Sequence, residues 1–180
     1  NLTVPSTVTG GDCDYGREGI LEGSVLETLI FADGIKMIPG YFCYKGGYGR
    51  DNHTLQHIEI PESVTEIGEK AFDGCAALEE IEIGKEINRV GNSAFQGCTG
   101  LKKILVDSAN ATYMDIDGVL FTREGMHLVV CPQGVTCIVL PEDVNHVVRG
   151  MFQGCKSLEH IAVSDGNTAY SGSDGILYSK

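Results

Sequence analysis

Seven cysteines and five histidines are the side chains of this 180-residue chain best suited to chemistry, and their spacing decides what they can do. Cys75 and Cys98 stand 23 residues apart, and Cys155 lies 57 beyond Cys98. Cysteines that recur at one position of a repeat act as small apolar fillers of an inward row. Strand spacing would put Cys75 and Cys98 about 5 Å apart in stacked coils. A disulfide would span that distance, but it needs converging Cβ vectors and these run parallel. Cys13, Cys43, Cys131 and Cys137 fall off the row. Bridges Cys13–Cys43 and Cys131–Cys137 therefore stay open, and the odd count leaves at least one thiol free unless two chains share it.

Metal chemistry fares worse. The chain has no CxxC and no HExxH, and His127 and Cys131, four apart on an expected strand, do not converge on one ion. "DIDG" at 115–118 and "SDG" at 173–175 set carboxylates beside glycine. Neither has the alternating ligands or the closing glutamate of a calcium loop, so both read as hairpin turns. No metal and no cofactor is expected.

Nucleophilic catalysis needs a nucleophile, a base and an orienting group meeting in space. The histidines are His53, His57, His127, His146 and His160, and only His57 and His160 share a context, the outward position of a short strand. Glu59, Glu80, Glu82 and Lys103 fall at the same kind of position. Alternate carboxylates on an open strand surface lack the pocket that raises a glycosidase acid. The expectation is a non-enzymatic chain. His57, Glu59, Glu80, Glu82, Lys103 and His160 are its candidate protein-binding face, set against the plainer reading of a solvated polar surface.

What positions these residues is a repeat. "SVTEIGEKAFDGC" at 63–75 is respelled as "EINRVGNSAFQGC" at 86–98, and Leu55, Leu78 and Leu101 open "LQHIEIP", "LEEIEIG" and "LKKILVD". The alternating Ile58-x-Ile60, Ile81-x-Ile83 and Ile104-x-Val106 mark short strands with one buried face. A second apolar pair follows (Val64 and Ile67; Ile87 and Val90), then Ala-Phe, then Gly-Cys. A 23-residue unit cannot enclose its own apolar face, so the units must stack into a solenoid with continuous internal ladders. Phe72, Phe95 and Phe152 are expected to form a buried spine.

A longer period overlies the first. A shift of 57 carries Phe95 to Phe152, Leu101 to Leu158, Asn110 to Asn167, Tyr113 to Tyr170 and Asp117-Gly118 to Asp174-Gly175. The extra length reads as a hairpin at 117–132, with two apolar runs around Arg123-Glu124-Gly125. The next coil resumes with Ile138 and Leu140 as strand positions. "DGILYSK" opens a second such insertion, so the native protein is expected to continue past Lys180 or to close there with an unusual cap. The expected division is a leader and cap over 1–25, then a repeat domain over 26–180. Its coils start near Leu26, Leu55, Leu78, Leu101, Val135 and Leu158. Tyr41, Tyr44 and Tyr48, with the glycines around them, form a second aromatic contact site or pack the cap.

The stretch from Leu55 to Cys75 resembles the BspA-type leucine-rich repeat of bacterial surface proteins, in units of Leu-x-x-Ile-x-Ile-Pro-x-x-Val-x-x-Ile-Gly-x-x-Ala-Phe-x-x-Cys. The stretches N-x-x-Y…DG-[VI]-L-[FY] at 110–121 and 167–178 resemble an insertion of the same family. The resemblance covers about 26–180 and implies a right-handed, β-rich solenoid with short strands, short helical turns and hairpin insertions. It also implies an extracellular or surface-attached protein of the gut or oral anaerobe type, with adhesion to a host or microbial extracellular protein.

Bulk properties agree. A net charge of −12 argues against nucleic-acid binding, which needs a basic footprint, and against anionic membrane surfaces. No apolar run reaches the 18 or so residues of a membrane-spanning helix. The expected function is protein recognition or adhesion through the strand face. The alternative is a structural spacer presenting another domain of a longer surface protein.

Overall fold

The computed structural model describes residues 2–4, 25–44, 54–147, 151–173 and 176–180. Its fold is a β-solenoid of about six turns with coils of about 23 residues. One lane of strands comprises β1 (Leu2–Val4), β2 (Thr28–Phe31), β4 (His57–Glu59), β6 (Glu80–Ile83) and β8 (Lys103–Val106). Alternating with it is a lane of two-residue strands, β3 (Met37–Ile38), β5 (Glu66–Ile67) and β7 (Arg89–Val90). Pairing is parallel and in register within β1–β2–β4, within β6–β8 and within β3–β5–β7, with Leu29 on Ile58, Ile81 on Ile104, and Ile67 on both Ile38 and Val90. Strand alternation follows from one buried face: Ile81 and Ile83 point into the core while Glu80 and Glu82 face solvent.

The segments after the second lane were expected to contain short helical turns. Among the described residues there is no helix, and the hydrogen bonding gives the reason. Ala71, Asp73 and Cys75 N–H groups close local turns onto Gly68, Lys70 and Phe72. The intervening N–H groups of Lys70, Phe72 and Gly74 cross instead to the carbonyls of Asn92, Ala94 and Gln96 in the next coil. With every second donor committed to a neighbour, no i to i−4 ladder can form. The turns thus make a third inter-coil lane. Gly68 and Gly91 stand where the second lane feeds it, and a Cβ on Gly68 would lie 2.3 Å from the Gly40 nitrogen. Only glycine lets coils approach that closely.

Inside, Phe31, Phe42, Phe72 and Phe95 form the aromatic row, with Phe72 stacked on Phe95 at 5.6 Å between centroids. Phe152 does not extend it. That ring is only partly buried and belongs to a second apolar cluster around Phe121, Val135 and Ile138. The cysteine row also differs from expectation. It contains Cys43, Cys75 and Cys98, all buried. Cys131 takes the place next to Cys155, and all the described cysteines are free thiols. Cys131 and Cys137 are thus unbridged: the first is buried against Cys155 and the second is exposed. Cys43 is likewise unbridged, and Cys13 lies outside the described residues.

The insertion separates the two clusters. Its strands are β9 (Tyr113–Ile116), β10 (Val119–Thr122) and β11 (Leu128–Val130), an antiparallel meander with β11 at one edge. The two apolar runs foreseen are β10 and β11, and the structure adds β9, which starts before Asp117. Asp117 and Gly118 both have positive φ, 53° and 80°, as a tight two-residue hairpin requires. Their role is that of a turn, and Asp174-Gly175 lies outside the described residues. Beyond the insertion β12 (Cys137–Leu140) and β13 (His160–Val163) resume the parallel lane. A hairpin of β14 (Tyr170–Ser173) and β15 (Ile176–Ser179) then repeats the β9–β10 pairing.

Candidate recognition surface

The outward positions of the first lane hold the candidate residues. His57 and Glu59 flank buried Ile58 on β4, Glu80 and Glu82 alternate with isoleucines on β6, and Lys103 leads β8. Register sets Glu80 opposite Lys103 and Glu82 opposite Leu105. His57, Glu59, Glu80 and Lys103 are each more than half exposed. The nearest polar atoms of Glu80 and Lys103 are 4.0 Å apart, and those of His57 and Glu59 are 3.3 Å apart. Exposed pairs of this kind contribute roughly 0–1 kcal/mol to folding, so their charges stay available to a partner. Three carboxylates against one lysine make this part of the face acidic.

His160 is placed differently. It leads β13, opposite Cys137, in a separate two-stranded sheet. The insertion stands between that sheet and β8: the Ile104 N–H donates to the Gly118 carbonyl at 2.8 Å, and Gly118 rests against Lys103. The structure thus brings together five of the six candidates and sets His160 on a second patch with exposed Cys137 and Val139.

Tyr41 and Tyr44 meet edge to face at 5.3 Å, and the Lys70 ammonium lies over both rings. The Tyr41 hydroxyl donates to Glu69 at 3.0 Å. These rings tie one coil to the next; Tyr48 lies outside the described residues. His127 packs against His146 at 5.9 Å between ring centroids, and Cys131 turns to Cys155. Among the described residues no three His, Cys, Asp or Glu side chains cluster as metal ligands would, and no helix is long and apolar enough to cross a membrane.

Sequence reading marked Asn110 and Asn167 only as repeat positions. Both are buried, and each side chain fills every one of its hydrogen-bonding sites. The signal available was the N-x-x-Y spacing, repeated at both insertions.

With the coils, lanes and insertion in place, comparison with known proteins is decisive on one point. The BspA type leucine-rich repeat region matches in six copies over residues 21–138. The chain belongs to the BspA-type leucine-rich-repeat family. A leucine-rich cell-surface protein of Faecalibacterium prausnitzii A2-165 superposes with a TM-score of 0.65 at 26% identity, over 79% of this chain and 37% of that one. The pneumococcal vaccine antigen PcpA superposes with a TM-score of 0.64 at 20% identity, over 78% of this chain and 34% of its own, and shows the shared fold. The chain thus spans little more than a third of either relative's length. No protein of curated function matches it. It is a leucine-rich-repeat protein that resembles bacterial cell-surface proteins.

Proposed function

We propose that this BspA-type chain is a non-enzymatic recognition module of a cell-surface or secreted bacterial protein, binding a host or microbial extracellular protein through β4, β6 and β8. The observation that supports the reading is the outward row His57, Glu59, Glu80, Glu82 and Lys103, held on consecutive coils of a rigid parallel lane. Repeat solenoids present extended binding surfaces in this way. An acidic face suits a partner with a basic patch, and it would act chiefly on encounter rate and specificity. A partner that also used His160 would have to span the insertion.

One observation favours the spacer reading. Leu105 is the only large apolar side chain more than a third exposed on β4, β6 or β8, and tight interfaces depend on aromatic or arginine anchors. The deciding experiment is binding of the immobilised chain to a panel of host extracellular glycoproteins. Each positive is repeated with Glu59, Glu80, Glu82 and Lys103 replaced by alanine. Saturable binding lost in the variant supports recognition; silence from folded protein transfers the proposal to a spacer presenting another domain.

A further inference from the structure

The turn lane breaks off after residues 92–98, and the break leaves donors along a groove. Tyr41 and Cys43 N–H groups donate to the Glu69 and Ala71 carbonyls, and Lys70, Phe72 and Gly74 N–H groups to those of Asn92, Ala94 and Gln96. One coil on, the same positions are Ser93, Phe95 and Gly97. Ala94, Gln96 and Cys98 N–H groups close their local turns onto Gly91, Ser93 and Phe95. The N–H groups of Ser93, Phe95 and Gly97 find no acceptor among the described residues. The cause lies in the sequence: the coil that opens at Leu101 spends its length on the three-stranded insertion and never makes the turn that would receive them.

The vacant berth is a groove. Residues 92–97 form one wall, the edge strand β11 forms the opposite wall, and Met151, Gln153 and Gly154 of the next turn close one end. Val90, Val129, Val130 and Met151 line it with apolar surface, while Asp73 and Lys156 supply charge at the rim. Unpaired backbone donors beside apolar surface call for a partner, because each donor left without one costs about 1–3 kcal/mol when water is excluded.

We propose that this groove is a docking slot for a non-helical peptide segment, which supplies backbone carbonyls at every second residue to Ser93, Phe95 and Gly97. The molecule contains the template for such an occupant. Residues 92–96 satisfy the equivalent donors of the preceding coil with the carbonyls of Asn92, Ala94 and Gln96. A segment with small polar residues around one apolar side chain fits the same berth. Main-chain pairing of this sort is how peptides add to an open sheet edge. The slot is separate from the strand face, and its occupancy does not depend on what that face binds.

The probe is an acetylated, amidated octapeptide copying residues 91–98, with Cys98→Ser, added to the 15N-labelled chain. Amide exchange is read residue by residue. In the free protein the Ser93, Phe95 and Gly97 amides should exchange faster than the paired amides of Lys70, Phe72 and Gly74. Peptide at roughly nine-tenths occupancy should slow those three about tenfold, since only the unoccupied tenth exchanges, and should leave Glu80 and Lys103 unchanged. A scrambled octapeptide should do nothing. The proposal is overturned by equal protection of both sets in the free protein, by no slowing at saturating peptide, or by equal slowing with the scrambled sequence. Protection that grows with protein concentration in the absence of peptide would also overturn it, because the occupant would then be a second copy of the chain.

Discussion

Asn110 and Asn167, 57 residues apart in sequence, hold the same four hydrogen bonds at the two insertions. The Asn110 amide donates to the Gly84 and Ile87 carbonyls, both at 2.8 Å, and its oxygen accepts from Thr112 and Tyr113 N–H groups at 2.9 and 2.7 Å. Asn167 repeats this with Pro141, Val144, Ala169 and Tyr170. The tyrosine hydroxyls accept from the Val90 and Val147 N–H groups. Arg123 and Lys180 reach the Asn110 and Asn167 carbonyls respectively. An insertion leaves the stack here, and this cluster satisfies the backbone that its departure would expose.

Asn110→Ala should therefore be costly. It strands the Ile87 carbonyl and the Thr112 and Tyr113 N–H groups, while the Gly84 carbonyl keeps the Ile87 N–H. At about 1–3 kcal/mol for each buried orphan, the loss should reach at least ~3 kcal/mol in urea unfolding. Asn110→Asp adds a pH signature. A carboxylate aimed at two carbonyls raises its own folded pKa, so stability should fall as pH rises above the ordinary aspartate value of about 3.9. Unfolding that showed no pH dependence in this variant would contradict the assigned bonds.

The aromatic row yields a graded pair. Phe95 is 4% exposed and stacked on Phe72, so Phe95→Ala should cost about 3–5 kcal/mol. Phe152 is only partly buried at the edge of the second cluster, and Phe152→Ala should cost roughly half as much, since less surface leaves water in the first place. Glu82→Ala, exposed on β6, should change stability by less than about 0.5 kcal/mol. Equal losses for the two phenylalanines would mean that the row runs on through the insertion.

Coil-to-coil contact is tested at glycine. Gly91→Ala would put a Cβ 2.4 Å from the Glu69 nitrogen, whereas nothing lies within 4 Å of a Cβ on Gly84. The first change should cost several kcal/mol or prevent folding. Gly84→Ala should be neutral, or stabilising by about 0.4–1 kcal/mol through the unfolded chain. Thermal melts of the two variants give the comparison directly.

The repeat made the strands legible. Period-2 alternation around Ile81 and Ile104, with Leu at each unit's start, leaves no other solution for packing. The lane of turns was not legible as such, because "GEKAFDGC" shows no sign that alternate N–H groups leave for the next coil. A helical turn satisfies local bonding equally well; the inter-coil bonds of the Lys70, Phe72 and Gly74 N–H groups exclude it. Cys43 went unplaced because the stretch after it breaks the 23-residue spacing. Phe152 was placed by its match to Phe95, which says nothing of the insertion between them. The candidate face was legible as polarity, since Glu80 and Glu82 must point outward once Ile81 and Ile83 point in. Which outward residues lie on the same side of the insertion depends on Gly118 resting against Lys103, a contact between coils that spacing does not encode.

The thiol row predicts a specific alkaline failure. Hydrogen bonding to Cys75, then burial, pushes Cys43 and Cys98 well above the ordinary thiol value of 9.0. Cys155 and burial do the same to Cys131. For these three the folded pKa is raised, so their contribution is fully present below pH 9 and is lost as pH climbs beyond it, where only the unfolded chain gives up the protons. Each should remove about 1.4 kcal/mol per pH unit. Cys75 runs the other way. The Cys43 thiol beside it lowers it to about 5, so its contribution is present above pH 9 and is lost as pH falls from there toward 5. The alkaline slope therefore belongs to the other three. Urea unfolding of the reduced protein between pH 8 and 10.5, compared with Cys98→Ala, isolates one of them. The variant should start lower at pH 8 for lost packing, and its slope above pH 9 should be shallower by about one proton, or ~1.4 kcal/mol per pH unit. An unchanged slope would mean that Cys98 ionises as readily in the folded stack as in the unfolded chain, against the burial of its thiol.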